Sequence, residues 1–199
     1  MQCGVEPRYR RLSSLEQFRD RYARAREDQA DTIADETMPH CGNRAAKFFE
    51  PLRSTMRIYE IDSPERMAAF LAQIAHESMS LFYTQETASG EAYEGRADLG
   101  NTEPGDGPKF KGHGLIPLTG RYNHQRYADA LGMTLDQVLD YLQTAEGAAD
   151  VSGWFWNEKN LNYLADRGDF CRITKQISGG THGYQDRLKF YNRAQKVLV

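Results

Sequence analysis

Residues 63–78 read SPERMAAFLAQIAHES, and this stretch decides the fold. Ser63 followed by Pro64 is an N-cap followed by a first-turn proline, so a helix is expected from Pro64 to about Ser78. Its apolar face is Met67, Phe70, Leu71 and Ile74, at helical spacing. At 100° per residue Glu77 falls on the edge of that stripe, about 80° from its centre, and His76 points to the other side. A carboxyl so placed sits half-buried at a cleft wall, where burial favours the neutral acid.

On either side the chain is also helical. Ala45, Phe48, Phe49, Leu52 and Met56 form a stripe, and Pro39 and Gly42 punctuate the chain before it, so the compact domain is expected over residues 43–199. Residues 13–30 are Arg-rich and helix-prone with a thin stripe, so 1–42 reads as an Arg-rich helical arm. Beyond the central stretch, residues 90–121 hold eight glycines and the prolines Pro104, Pro108 and Pro117, a density of breakers in which no regular helix is expected. Long irregular segments in compact domains tend to carry binding groups.

Helical signals then return. They cover Tyr122 to Leu131, a capping box at Thr134 and Gln137, an apolar run from Ala145 to Phe155 suited to a buried central helix, Asp169 capping Phe170 to Ile177, and a terminal stripe of Tyr184, Leu188, Tyr191 and Ala194. The class is mainly α, with little strand.

Composition excludes more than it selects. A chain of 199 residues, 40% of them hydrophobic, suits one domain. The net charge of -3, with Lys and Arg dispersed, gives no reason to expect a nucleic-acid partner. Cys3, Cys41 and Cys171 are too widely spaced for a metal site or disulfide framework and read as structural thiols, Cys171 in a helix interior. The first residues lack an apolar signal-peptide core, and no run is long and apolar enough to span a bilayer, so synthesis without a signal peptide is expected.

Glycoside hydrolysis needs one carboxylic acid to protonate the leaving oxygen and a second carboxylate across the ring. Glu77 ends its helix, and Glu86, nine residues on past Leu81 and Phe82, can fold back to face it. Several other residues have plainer readings. His76 lacks the second histidine of a zinc H-E-x-x-H motif and reads as packed or hydrogen-bonded. Asp106 suits a turn. Trp154 and Trp156 suit the core better than a sugar platform. No metal or cofactor is expected.

The run FLAQIAHES (70–78), Glu86 and YEGRADLGNTEPGDGPKFKGHGLIPLTGRYNH (93–124) resembles the family 19 glycoside hydrolases, the chitinases and phage or bacterial lysozymes of one lysozyme-like helical fold. WFW (154–156), ISGG (177–180) and Asp186 with Arg187 continue the match in order, over roughly residues 43–199. The resemblance implies a lysozyme-like domain whose Gly-rich segment lines the cleft, with Glu77 as general acid and Glu86 as the base that activates water. It further implies that Thr119 helps hold that water, that Tyr122 and Asn123 line the sugar cleft, that Ser178 stands where the family places a sugar-binding amide, and that Arg187 lies near the carboxylates. Hydrolysis is then inverting, with carboxyl groups about 6.5–9.5 Å apart. The family pattern would have Arg at His113, Gln at Pro117, Tyr at His124 and Asn at Ser178 and His182.

The expected activity is peptidoglycan hydrolysis at β-1,4 bonds, on the short Glu-to-Glu spacing, the single domain and the missing chitin-binding module. A chitinase is the alternative, and a glycan-binding protein with little turnover is the reading from another class, suggested by Pro117 and Ser178. Expected partners are cell-wall polysaccharide or chitin, with the chain a monomer that reaches the wall through a holin or a secretion system.

Overall fold

The computed structural model describes residues 37, 38 and 41–198. Most of the arm read over residues 1–42, including the stripe at 13–30 and Cys3, lies outside them. Met38 and Cys41, on the arm side of the expected boundary, are buried in the main core.

The described residues form α1 (Arg44–Ile58), α2 (Pro64–Glu77), two 3-10 turns (Glu91–Tyr93 and Ala97–Leu99), α3 (Asp106–Lys109), α4 (Arg121–Leu131), α5 (Leu135–Leu142), α6 (Ala145–Glu158), α7 (Leu161–Ala165), α8 (Phe170–Ser178) and α9 (Tyr184–Leu198). Among them the only extended pairing is two isolated bridges, Gln85 with His113 and His113 with Leu118. Local signals set the helix starts. Ser63 accepts from the Arg66 amide, Thr134 and Gln137 close a full capping box, and Asp169 accepts from the Arg172 amide. Cys171 is the second residue of α8, so it lies in a first turn and not in a helix interior.

α2 is not the amphipathic helix its stripe suggests, because every residue from Met67 to Ala75 is buried. The alanines 68, 69, 72 and 75 let other helices approach where a larger side chain would stand off, and α7, α8 and α9 all contact α2. The consequence is that Gln73, a polar residue on the same face as Glu77 one turn earlier, is fully buried and needs a partner.

α6 is the second buried helix and serves two cores. Ala148, Ala149 and Trp156 join the main core, while Val151 and Trp154 pack with Leu118, Tyr127, Val138 and Leu142. Trp156 meets Phe70 edge-on at 5.2 Å and donates its indole N–H to Asn162 Oδ1 at 2.8 Å, so both tryptophans are core residues. α1 crosses α6 at Gly153, where an added Cβ would come within 2.4 Å of both Thr55 and Tyr59. No described helix is long and apolar enough to cross a membrane.

The Gly-rich segment is irregular but pinned. α3 and the two 3-10 turns show that single turns do form within it. Asp106, which reads as a turn residue, is buried, accepts the Glu103 amide and takes both Nε and Nη2 of Arg121 at 2.7 and 2.5 Å. The Glu94 carboxylate accepts the amides of Gly105 and Gly107, each at 2.7 Å. Charge-assisted bonds replace the helical ladder that the glycines forbid.

Candidate active site

After Glu77 the backbone makes a left-handed turn. Met79, Ser80 and Leu81 have φ of 50°, 54° and 65°, a conformation unfavourable for L residues and rare in succession. The turn is held because its amides are satisfied. Ser80 N–H donates to the Ala75 carbonyl at 2.8 Å, Leu81 N–H to Ser78 Oγ at 2.9 Å, and Phe82 and Tyr83 N–H to the Ser78 carbonyl at 2.8 and 2.9 Å. This reversal carries residues 84–86 back along residues 112–114. There Glu86 N–H donates to the Gly112 carbonyl and Gly114 N–H to the Thr84 carbonyl, each at 2.8 Å.

Glu77 and Glu86 line one cavity of about 340 Å³ with Tyr83, Gln85, Thr87, Tyr93, Gly114, Pro117 and Thr119. They are held in different ways. Glu77 Oε1 accepts Arg187 Nη2–H at 2.5 Å, with Arg187 3% and Glu77 19% exposed in their side chains. The carboxyl expected to stand alone on an apolar wall therefore faces a buried guanidinium. Arg187 also donates Nη1–H to Gln73 Oε1 at 2.5 Å and Nε–H to the His182 carbonyl at 3.0 Å, and Gln73 donates to Thr174 Oγ1 at 3.0 Å. A buried polar chain thus runs from α8 through α2 and α9 to Glu77. Among the described residues Glu77 Oε2 accepts no hydrogen bond.

Glu86 is held by donors on both oxygens. Tyr93 O–H donates to Oε1 and the Gly112 amide to Oε2, each at 3.1 Å. Burial first, and the bond to Glu86 next, push the Tyr93 phenol above its ordinary value, so it remains a donor to the carboxylate.

The other expected site residues divide. Thr119 lines the cavity, and its carbonyl accepts one N–H of Asn123 Nδ2 at 2.8 Å. Tyr122 is exposed at the start of α4 under the Arg126 guanidinium at 5.9 Å and does not line the cavity. Ser178 does not line it either. As the last residue of α8 its hydroxyl serves the open carbonyls there, lying 3.0 Å from that of Thr174 and 2.9 Å from that of Gly180. Arg187 lies behind Glu77 and supports it.

Several residues at the site went unread in the sequence. Gln73 had a signal, a lone amide in an apolar run at i−4 from Glu77. Tyr93 and the Gly112 amide reach Glu86 through loop closure and had none. Gln85 had only its place beside Glu86. His76 Nδ1 pairs with Asp186 Oδ2 at 2.8 Å, the hydrogen-bonded state its context suggested. Among the described residues no three His, Cys, Asp or Glu side chains are placed to hold a metal ion.

No protein-family model matches the chain. It is 33% identical over 154 residues to an endochitinase of Arabidopsis thaliana, covering 74% of this chain and 50% of that one. It is 28% identical over 106 residues to a glycosyl hydrolase family 19 domain-containing protein of Haemophilus influenzae, covering 53% of this chain and 51% of the relative. The chain spans about half the length of the curated relatives it matches. Among solved structures, a bacterial family 19 chitinase shares the fold with a TM-score of 0.68 at 20% identity, over 84% of this chain and 93% of that one. Chitinase C from Streptomyces griseus does so with a TM-score of 0.67 at 23% identity, over 84% and 75%. The Haemophilus influenzae relative carries the family's name and the solved structures share its lysozyme-like helical fold: the chain belongs to glycoside hydrolase family 19.

Proposed function

We propose that the chain hydrolyses β-1,4 bonds between N-acetylglucosamine units of chitin by inversion, with Glu77 as general acid and Glu86 as general base. The observation that carries this reading is the unequal holding of two glutamates on one cavity. Glu86 accepts two hydrogen bonds, which suits a carboxylate that draws a proton from water. Thr119, on the same cavity, supplies a hydroxyl to orient that water. Glu77 is gripped through Oε1, which leaves Oε2 to deliver its proton to the leaving oxygen. As the proton departs, Glu77 gains the charge that Arg187 already faces, so this contact strengthens toward the transition state.

The ranking of substrates given by the sequence is reversed here. Peptidoglycan came first on spacing and domain size, but the relatives bear chitinase names, which favours the N-acetylglucosamine polymer. Product masses from purified chitin and purified peptidoglycan separate the two. Soluble N-acetylglucosamine oligomers from chitin are expected. Muropeptides alone would replace the substrate, and no product from either polymer would leave only glycan binding.

A further inference from the structure

Gln85 lines the catalytic cavity beside Glu86, yet half of its amide faces the protein interior. Its Nε2 lies 2.7 Å from His113 Nε2, His113 Nδ1 lies 3.1 Å from His124 Nε2, and His124 Nδ1 lies 2.8 Å from the Gly120 carbonyl. The two imidazoles meet edge to face at 5.1 Å and are 2% and 0% exposed. Two of the departures from the family pattern, His113 and His124, are therefore one structural unit.

The carbonyl sets the direction of the whole relay. Gly120 O can only accept, so His124 carries its proton on Nδ1. A neutral imidazole has one N–H, so His124 Nε2 is an acceptor and His113 must carry its proton on Nδ1. His113 Nε2 is then an acceptor, and Gln85 must turn its NH₂ toward it. The opposite amide orientation would set lone pair against lone pair at Gly120, so the order of bonds assigns the amide orientation. Both rings are neutral at pH 7, since burial pushes both below the ordinary histidine value, His124 to about 4.

We infer that this imidazole relay makes Gln85 a specificity-determining residue, presenting its carbonyl oxygen to the cavity as a fixed acceptor for an N–H or O–H of the bound sugar. Among the described residues Gln85 Oε1 accepts no hydrogen bond, and the amide cannot rotate to offer a donor without breaking the relay. His113 and His124 are the positioning residues. The sugar contact rests on the glycan-hydrolase reading, whereas the polarity of the relay does not.

Two measurements test it. In the ¹⁵N-labelled full chain at pH 7, long-range ¹H–¹⁵N correlation is expected to show both imidazoles as Nδ1–H tautomers, with a coupling across the bond from Gln85 Nε2 to His113 Nε2. A proton on Nε2 of either ring overturns the relay. The second is titration with the N-acetylglucosamine tetramer in a Glu77→Gln background, where adding Gln85→Met is expected to raise the dissociation constant roughly 3- to 10-fold. Unchanged affinity overturns the sugar contact. Failure of Glu77→Gln alone to bind the tetramer sinks both the glycan reading and the sugar contact, while the tautomers still decide the relay.

Discussion

Arg187 grips Glu77 through a single carboxylate oxygen at 2.5 Å while its other two nitrogens hold Gln73 and the His182 carbonyl. Glu77, the proposed acid, is therefore oriented by α9, 110 residues away in sequence, and only a planar fork can reach all three acceptors. Arg187→Met is expected to lower stability by about 3 kcal/mol, at the low end for a broken buried pair because Glu77 keeps some solvent, and to lower kcat roughly 100-fold. Arg187→Lys keeps the charge but not the fork, and is expected to recover less than half of either loss. Denaturant unfolding and initial rates on a chito-oligosaccharide check this, and a fully active Arg187→Met would refute the positioning role.

Glu86, the proposed base, is expected to depend on Tyr93 more modestly. Tyr93→Phe removes the donor to Glu86 Oε1 and leaves the Gly112 amide on Oε2. The loss of one hydrogen bond corresponds to about 1 kcal/mol, or a 5- to 10-fold fall in kcat. Steady-state kinetics are expected to show that fall with KM nearly unchanged. A change confined to KM would place Tyr93 on the substrate instead.

The left-handed turn after Glu77 offers a stability test. Met79 has φ of 50° and is 65% exposed, so removing its side chain gives up little packing. Met79→Gly relieves about 1–2 kcal/mol of backbone strain against about 0.4–1 kcal/mol of added unfolded-state entropy. A net gain of roughly 0.5–1 kcal/mol is expected, read as a higher Tm. A drop in Tm would mean that the Met79 side chain makes a stabilising contact.

Acid should weaken the fold through the histidine pair. His124 has a folded value of about 4 against about 6.5 when unfolded, so between these values the unfolded chain binds more protons. Stability is then fully present above pH 6.5 and is lost as pH falls toward 4, by about 3 kcal/mol from this group. His124 faces His113, itself lowered by burial, and the nearby Lys111 adds positive charge beside His113. The difference in unfolding free energy between wild type and His124→Phe is expected to shift in favour of the variant by about that amount from pH 7 to 4. A pH-independent difference would show that burial does not hold His124 neutral below pH 6.5.

What was legible in the sequence was local. Ser63 with Pro64, Thr134 with Gln137, and Asp169 each bond within one turn, so the helix starts could be read from neighbours along the chain. Glu77 and Glu86 were legible as a pair because the ordered motifs around them made the pair specific. The partners that hold them were not, since Arg187 and Tyr93 arrive by tertiary closure that no spacing records. The full burial of α2 was missed because alanines count weakly in a hydrophobic stripe yet pack closely. The place of the Ser178 hydroxyl was not legible from its match to a family amide, since a helix end turns a short hydroxyl back onto nearby carbonyls. The His113 and His124 changes looked like separate departures until the fold placed their rings together.

Glu77 and Glu86 are proposed to act from one cavity as the acid and base of an inverting hydrolysis. Proton NMR of N-acetylglucosamine hexamer during the first minutes with wild-type protein tests it most directly, because the anomeric signal of the new reducing end reports the mechanism before mutarotation. The expected result is α-anomer product, absent with Glu77→Gln and with Glu86→Gln. An initial β-anomer, or undiminished cleavage by either variant, would contradict it.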